Sequence, residues 1–584
     1  MRKNRVSVLA LVTAMIVLLG ILPLRATNES INYADVNKIK AEGMQHSQVM
    51  ELSSWLMDVY APRLMGSPTY TKAADWAIAK MKEWGLVNVK AEPWVNRNGF
   101  DRGWTNDKYY LAVVSPEPFP IPGTPTGWTP GTNGLVRGEA VLVTATTPED
   151  LAAYKGKLNG KWVLTQAVPD VPAYWTVISK RYTSEELAAL ELYPAPGLEF
   201  GVTPPGQRGG APVVAAPVVP APQAKPAAPQ AGQPIAAPQP VAPAAGQRGG
   251  FGAMNARNEF FRAEGVLGML STTPRGHGIY VISGNRANDP ATTLPAIVIP
   301  AEQYGRIGRI LAKKIPVTIE ADIKNTYYPN PQVFNVVGEI PGKDKADELV
   351  MLGGHLDCWH AATGAADNGA GVTTMMEAMR ILKATGVKLR RTVRIGLWGA
   401  EEQGLIGSRE YVAAHFASRQ ALAAPAVGAP PVAAGQRGGG FGGPQGPLEF
   451  KPEYDKLSAY YNIDNGTGAI RGIYLQGNDA AGPIFREWIE PLRSMGMTTV
   501  TIRNTGGTDH QSFDGVGLPG FQFIQDETEY NAIIHHTNLD TYERLQPNDM
   551  MKDATIAAVF VYLTANRDER IPRKPLTTQG QRGR

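Results

Sequence analysis

Between Leu349 and Tyr411 the chain places a histidine and several carboxylates just past short apolar runs. Leu349–Leu352 is closed by Gly353-Gly354 and followed by His355 and Asp357. Val393–Trp398 is closed by Gly399-Ala400 and followed by Glu401-Glu402. Further on, the run Leu457–Ile463 delivers Asp464. Imidazoles and carboxylates are ligands for zinc-like divalent cations. Two adjacent carboxylates at a strand end point in different directions, so one can bind a metal while its neighbour faces a bound water. Taken singly, a histidine after two glycines also reads as a hydrogen-bonded loop residue, and a Glu-Glu pair as solvated surface. The same placement at successive strand ends favours one joint metal site.

The elements that must position these groups follow from the pattern. Each apolar run reads as a buried strand, and the turn after a parallel strand is where open α/β folds place their sites. From Asp367 onward Val372, Met375, Met376, Met379 and Leu382 repeat at helical spacing. Asp367 therefore sits just ahead of a helix, where backbone N–H groups are free. Pro519–Gln525 reads as one more strand, followed by a loop carrying His535-His536-Thr537-Asn538-Leu539-Asp540-Thr541.

In this order GGHLDCW, GAADNGAG, WGAEEQGLIGS, NIDNG and HHTNLDT resemble the motifs of the di-zinc exopeptidases, the family of leucyl aminopeptidases, glutamate carboxypeptidase and carboxypeptidase Q. The doubled histidine before Thr537 is nearest to the carboxypeptidase Q type. The resemblance implies two zinc ions per chain bridged by Asp367, one completed by His355 and Asp464, the other by Glu402 and His536. It implies Glu401 as general base, passing a proton from water to the leaving amine. Asp357 then becomes the partner that fixes the His355 tautomer, with a turn-capping aspartate as the alternative. The doubled histidine leaves the register open, so His535 is a second candidate for the ligand; many relatives have a tyrosine in its place. Asp509 and His510, in RNTGGTDHQSF, resemble the family's stretch near the substrate cleft, where they would shape the pocket, with a plain turn as the alternative.

The implied fold is α/β, a mixed, mainly parallel central sheet flanked by helices, with an inserted small β-rich domain of protease-associated type. The implied activity is removal of residues from peptide ends or cleavage of dipeptides. Amide hydrolysis of non-peptide substrates, a non-catalytic receptor and a single-zinc cyclase are the rival readings. The last two fit poorly with a chain that keeps all five ligands, the bridging Asp367 among them, and the base.

At 584 residues the chain exceeds one core, and its 43% hydrophobic content is ordinary for a soluble enzyme. A net charge of +4 without a basic stripe speaks against nucleic acid as a partner. The single cysteine, Cys358, excludes an intrachain disulfide and reads as a buried thiol rather than a nucleophile. Residues 1–26, with Arg2, Lys3 and Arg5 ahead of an apolar run, read as an export signal. An uncleaved anchor is the alternative, and no other segment is long and apolar enough for stable membrane insertion. The location expected is periplasmic or extracellular.

Residues 27–122 are assigned to the front of the catalytic domain, beginning with helices and RLMGSP. Residues 123–325 form the inserted domain, interrupted by a Pro/Ala/Gly-rich tract at 201–252 that cannot bury enough apolar surface to order itself. Residues 326–570 complete the catalytic domain around a second low-complexity insert at 421–447, and 571–584 form a flexible tail. The sequence leaves homodimer formation open.

Overall fold

The apolar runs become strands of one eight-stranded mixed sheet in the computed structural model, which describes residues 29–95, 100–175, 177–193, 251–419 and 446–575. Its strands are β1 (Val87–Pro93), β2 (Phe334–Ile340), β3 (Lys345–His355), β4 (Arg391–Trp398), β5 (Leu457–Asn462), β6 (Ile470–Tyr474), β7 (Thr499–Thr501) and β8 (Gly520–Gln525). Their order is β1-β2-β4-β3-β5-β8-β6-β7, and the central block β4-β3-β5-β8 is parallel throughout. Parallel strands buried on both faces read as continuous apolar runs, which is why β3, β4 and β5 were legible.

Register does the first part of the positioning. Gly353 on β3 lies opposite Asn462 on β5 and His355 opposite Trp398 on β4. Continuing the β3/β5 register by two residues brings Asp464 alongside His355. Gly353 is needed for the close approach: a Cβ there would lie 2.0 Å from the carbonyl oxygen of Gly396.

The helices are α1 (Tyr33–Gln45), α2 (Pro68–Glu83), α3 (Ala370–Thr385) and α4 (Pro547–Asn566). Val372, Met375, Met376, Met379 and Leu382 lie on α3 as the spacing required, but α3 is buried on its other faces too, because α1 and α4 both pack against it. Its charged pair is accommodated by mutual bonding. Arg380 Nε donates to Glu377 at 2.7 Å and its Nη1 to Glu42 of α1 at 2.7 Å.

The inserted region forms a second eight-stranded sheet, with Leu111–Ser115, Val136–Leu142, Trp162–Leu164, Gly268–Ser271, Ala296–Val298 and Thr318–Ala321 among its strands. Leu111–Ser115 pairs with Thr318–Ala321, so this sheet begins ahead of the boundary expected at residue 123. A ribbon of Arg102–Lys108 against Lys324–Pro329 joins the two parts. Phe251 and Gly252, at the end of the Pro/Ala/Gly-rich tract, already lie in helix. The remainder of that tract, the export segment at 1–26, nearly all of the 421–447 insert and the end of the tail fall outside the described residues. Among the described residues no helix is long and apolar enough to cross a membrane.

One electrostatic clamp in this frame titrates. His415 ends the helix Ile406–His415, with Nε2 2.5 Å from Glu92 of β1 and Nδ1 3.5 Å from Glu453. Burial disfavours its charge, but the two carboxylates outweigh that and push its pKa up to about 9. Because the folded value lies above the unfolded one of about 6.5, the contribution is complete below about pH 6.5 and lost as pH rises through 9. We expect His415→Gln to lose about 1–2 kcal/mol near pH 6 and little above pH 9.5, after allowing for solvent screening. Denaturant midpoints across that range check it, and parallel pH profiles for the two proteins would refute it.

Candidate metal centre

The loop after β3, the approach to α3, the turn after β4, the end of β5 and the 535–541 loop meet at one end of the central block. His355 is fully buried, and its Nδ1–H donates to the backbone carbonyl of Asp357 at 2.9 Å. That bond occupies Nδ1 and leaves Nε2 as the ring nitrogen turned toward the carboxylates. His355 Nε2 lies 3.3 Å from Asp367 Oδ1 and 3.3 Å from Asp464 Oδ1. On the other side of the same carboxylate, His536 Nε2 lies 3.2 Å from Asp367 Oδ2 and 3.0 Å from Glu402 Oε2. The two oxygens of Asp367 therefore face two separate donor sets.

These separations have a simple meaning. Donors sharing one tetrahedral zinc, each about 2.0–2.1 Å from it, stand about 3.3 Å apart. His355 Nε2, Asp367 Oδ2, Glu402 Oε1 and Asp464 Oδ1 are all buried without a hydrogen-bond partner among the described residues. Buried polar atoms are normally satisfied, so unpaired lone pairs turned toward one another fit a pair of cations. Triads of donor atoms lying within 4.8 Å of one another include His355 with Asp367 and Glu402, His355 with Glu401 and Asp464, and Asp367 with His535 and His536.

The electrostatics reflect this crowding. Burial works against charge on His355, but Asp464, Glu401 and Asp367 outweigh it and hold its pKa well above the usual imidazole range. Burial also opposes the Asp367 carboxylate, yet its contacts with His355 and His536 hold it well below the usual range. Burial, then Asp367, pushes Glu402 up to about 7. Glu401 is raised well above its ordinary value, chiefly by burial, with Asp464, Asp509 and Glu402 adding to it.

Glu401 Oε2 is 4.0 Å from His355 Nε2, farther than the other carboxylates. It stands beside the donor sets, within reach of His355 and Asp464. Of the doubled histidines, His536 touches both Asp367 and Glu402, whereas His535 reaches only Asp367 Oδ2, at 3.6 Å, and stacks on the His536 ring at 3.8 Å. His535 is partly exposed beside the cluster, while Asp509 and His510 are fully buried. They are therefore not an accessible cleft wall. His510 Nε2 donates to Thr505 O at 3.1 Å, and Asp509 acts on Glu401 and His355 through its charge.

Asp357 has a different task from the one its spacing suggested. Its carboxylate accepts from the amides of Glu401 at 3.1 Å and Glu402 at 3.4 Å, so it holds the turn carrying both glutamates. The tautomer of His355 is set instead by the backbone oxygen of the same residue. Cys358 is buried, which pushes its thiol up to about 11, and its sulfur accepts from the Arg63 amide at 3.2 Å. It has no nucleophile's environment.

Three supporting residues lie in motifs noticed in the sequence, but their partners could not be read there. Arg63 of RLMGSP is fully buried and donates to the carbonyls of Leu356, Leu56, Thr363 and Gly364, fixing the loop between His355 and Asp367. Asn368 donates to Ile463 O at 2.8 Å and accepts from Gly371 N at 3.0 Å, tying the start of α3 to the end of β5. Asp540 accepts from the amides of Ala366 at 2.5 Å and Asp367 at 3.2 Å. Asp540→Ala would leave two buried N–H groups unpaired. It should cost about 2–4 kcal/mol of stability and weaken zinc binding roughly 10–100-fold. Denaturation in chelator and zinc titration against a competing chelator measure the two effects; an unchanged midpoint would mean that the amides find another acceptor.

Residues 335–561 match peptidase family M28. All five motifs lie inside that span, so the kinship expected from them holds there. Over 285 residues the chain is 29% identical to carboxypeptidase Q of Mus musculus, covering 49% of this chain and 53% of that protein. It is 25% identical over 270 residues to aminopeptidase YwaD of Bacillus subtilis (strain 168), covering 45% and 50%. The match thus spans about half the length of these curated relatives. The fold is shared with the crystal structure of a peptidase M28 precursor from Shewanella amazonensis SB2B, at a TM-score of 0.59 and 21% identity, over 92% of this chain and 98% of that one.

Proposed function

We propose that this chain is a zinc-dependent exopeptidase, exported from the cytoplasm, which cleaves dipeptides or the terminal bonds of short peptides. The observation that carries this reading is the placement of Asp367, whose two oxygens face His355 and His536 at 3.3 and 3.2 Å. One ion would be held by His355, Asp464 and Asp367, the other by His536, Glu402 and Asp367. The chemistry zinc supplies there is Lewis acidity toward a carbonyl oxygen and a water made acidic enough to react near neutral pH.

The remaining work belongs to the chain. Glu401 takes the proton of the attacking water and returns it to the leaving amine. Asp357 holds the amides of Glu401 and Glu402 and keeps the base in place beside the metal-binding carboxylates. Arg63 and Asp540 hold the backbone on either side of the site through hydrogen bonds to main-chain groups. The inserted domain reaches the same place: the Ile282 amide donates to the His536 carbonyl at 2.8 Å, and His360 donates to Pro125 O at 2.8 Å. That contact suits a wall that limits substrate length. Export is supported by the basic and apolar opening of the sequence.

Metal analysis of the purified protein should return two zinc ions per chain. A panel of short peptides blocked at one end or the other should be cut only where the required end is free. Absence of bound metal, or cleavage at internal bonds of doubly blocked peptides, would overturn the proposal.

A further inference from the structure

His355 ends β3, and Glu402 and Asp464 follow closely on β4 and β5, strands that are all paired on both edges. The central sheet itself sets the places of these three groups. His536 is held differently. After β8 ends at Gln525 the chain leaves the sheet, and at His536 the backbone has a φ of +58°, the left-handed region that a β-carbon opposes. A residue other than glycine stays in that conformation when its surroundings over-determine it.

The inserted domain supplies such surroundings on both sides of the histidine. Ahead of it, Lys180 and Thr528 exchange two backbone hydrogen bonds, at 3.1 and 2.8 Å. Arg181 Nη1 donates to Asp526 Oδ2 at 2.9 Å, and its Nη2 lies 2.6 Å from Asp549 Oδ2 of α4. The Tyr182 amide donates to the other oxygen of Asp526 at 2.8 Å. Ile178 packs on the apolar cluster that holds Ile533 and Ile534 together with Ala366, the neighbour of Asp367. Beyond the histidine, Ile282 N donates to His536 O at 2.8 Å. The Asn538 side chain accepts from Tyr280 N at 3.0 Å and donates to Gly278 O at 3.2 Å.

We propose that the inserted domain sets the metal affinity of one half of the centre: residues 178–182 and 278–282 clamp the segment 526–538 and keep His536 in place as a ligand, with Arg181 and Asn538 as positioning residues. A segment that visits its binding conformation only part of the time binds its ion more weakly by that fraction. The ion held by His536, Glu402 and Asp367 therefore depends on the clamp. The ion held by His355, Asp464 and Asp367 does not, because the sheet places those groups. The inference rests on the two-ion reading of the site.

The test titrates the full-length, metal-stripped protein with zinc against a competing chelator, which resolves two binding steps. Arg181→Ala and Asn538→Ala are each expected to weaken one step by about tenfold and to leave the other within about twofold. Arg181→Lys, which restores the charge without the planar fork, should recover part of the loss. His536→Ala identifies the step, which should disappear. Adding Arg181→Ala to His536→Ala should then leave the remaining affinity unchanged, because both changes act on one ion. Arg390→Ala removes another arginine bonded to two carboxylates, Asp344 and Asp568, and should move neither step. Equal weakening of both steps, no weakening, the same loss in Arg390→Ala, or no zinc binding at all overturns the proposal. Should Arg181→Ala fail to fold, Arg181→Lys and Asn538→Ala carry the same comparison. Peptide cleavage by the unmutated protein is scored separately. Clamp-dependent zinc binding without cleavage sinks the exopeptidase reading and leaves the clamp standing; cleavage with both zinc steps indifferent to the clamp gives the reverse.

Discussion

Glu401→Gln should lower kcat by about 10³–10⁴-fold while the zinc content and the fold stay as they are. Glutamine has nearly the same shape, and the bonds from the Asp357 carboxylate to the amides of residues 401 and 402 do not involve the replaced atoms. What disappears is the proton acceptor beside the donor sets. Glu401 is farther from His355 Nε2, at 4.0 Å, than Asp367 or Asp464, both at 3.3 Å. Its loss should therefore spare metal binding. The measurement is kcat and KM on a cleaved peptide together with zinc per chain by elemental analysis. Retention of most of the rate would remove Glu401 as the base. Loss of zinc in step with activity would make it a ligand instead.

Asp367→Ala should abolish activity and metal retention together. Among the described residues Asp367 is the carboxylate whose two oxygens reach both His355 and His536. Removing it takes away the oxygen 3.3 Å from His355 and the oxygen 3.2 Å from His536. Activity is expected to fall to the background of the assay, and zinc per chain to drop from two to less than one. A ligand that binds the folded state raises the apparent melting temperature, so chelator should lower Tm in the unmutated protein. The same treatment should leave Asp367→Ala nearly unmoved. A variant that kept two zinc ions and a chelator-sensitive Tm would show that Asp367 is not shared between them.

The contrast between these two variants and Asp540→Ala separates three kinds of contribution at one place. On the proposed reading Glu401 supplies chemistry and Asp367 a ligand, while Asp540 holds the backbone that presents it. Metal content, rate and stability should change in a different combination in each of the three.

By itself the sequence determined the donor types and their setting at strand ends. Apolar runs, the first of them closed by Gly353-Gly354, encode parallel strands, with no room for a side chain where Gly353 meets the Gly396 backbone. His355, Asp367, Glu401-Glu402 and Asp464 were legible because each follows such a run or opens a helix, which is local information. Tertiary structure decided what depends on contacts across the chain. It set His536 rather than His535 between two carboxylates, turned the Asp357 carboxylate to the glutamate turn, and buried Asp509 and His510 behind the site. Asp540 meets an amide 174 residues away and Arg63 a carbonyl 293 residues away. No spacing rule reaches that far, because such pairs are chosen by strand register and by the packing of the inserted domain against the 535–541 loop.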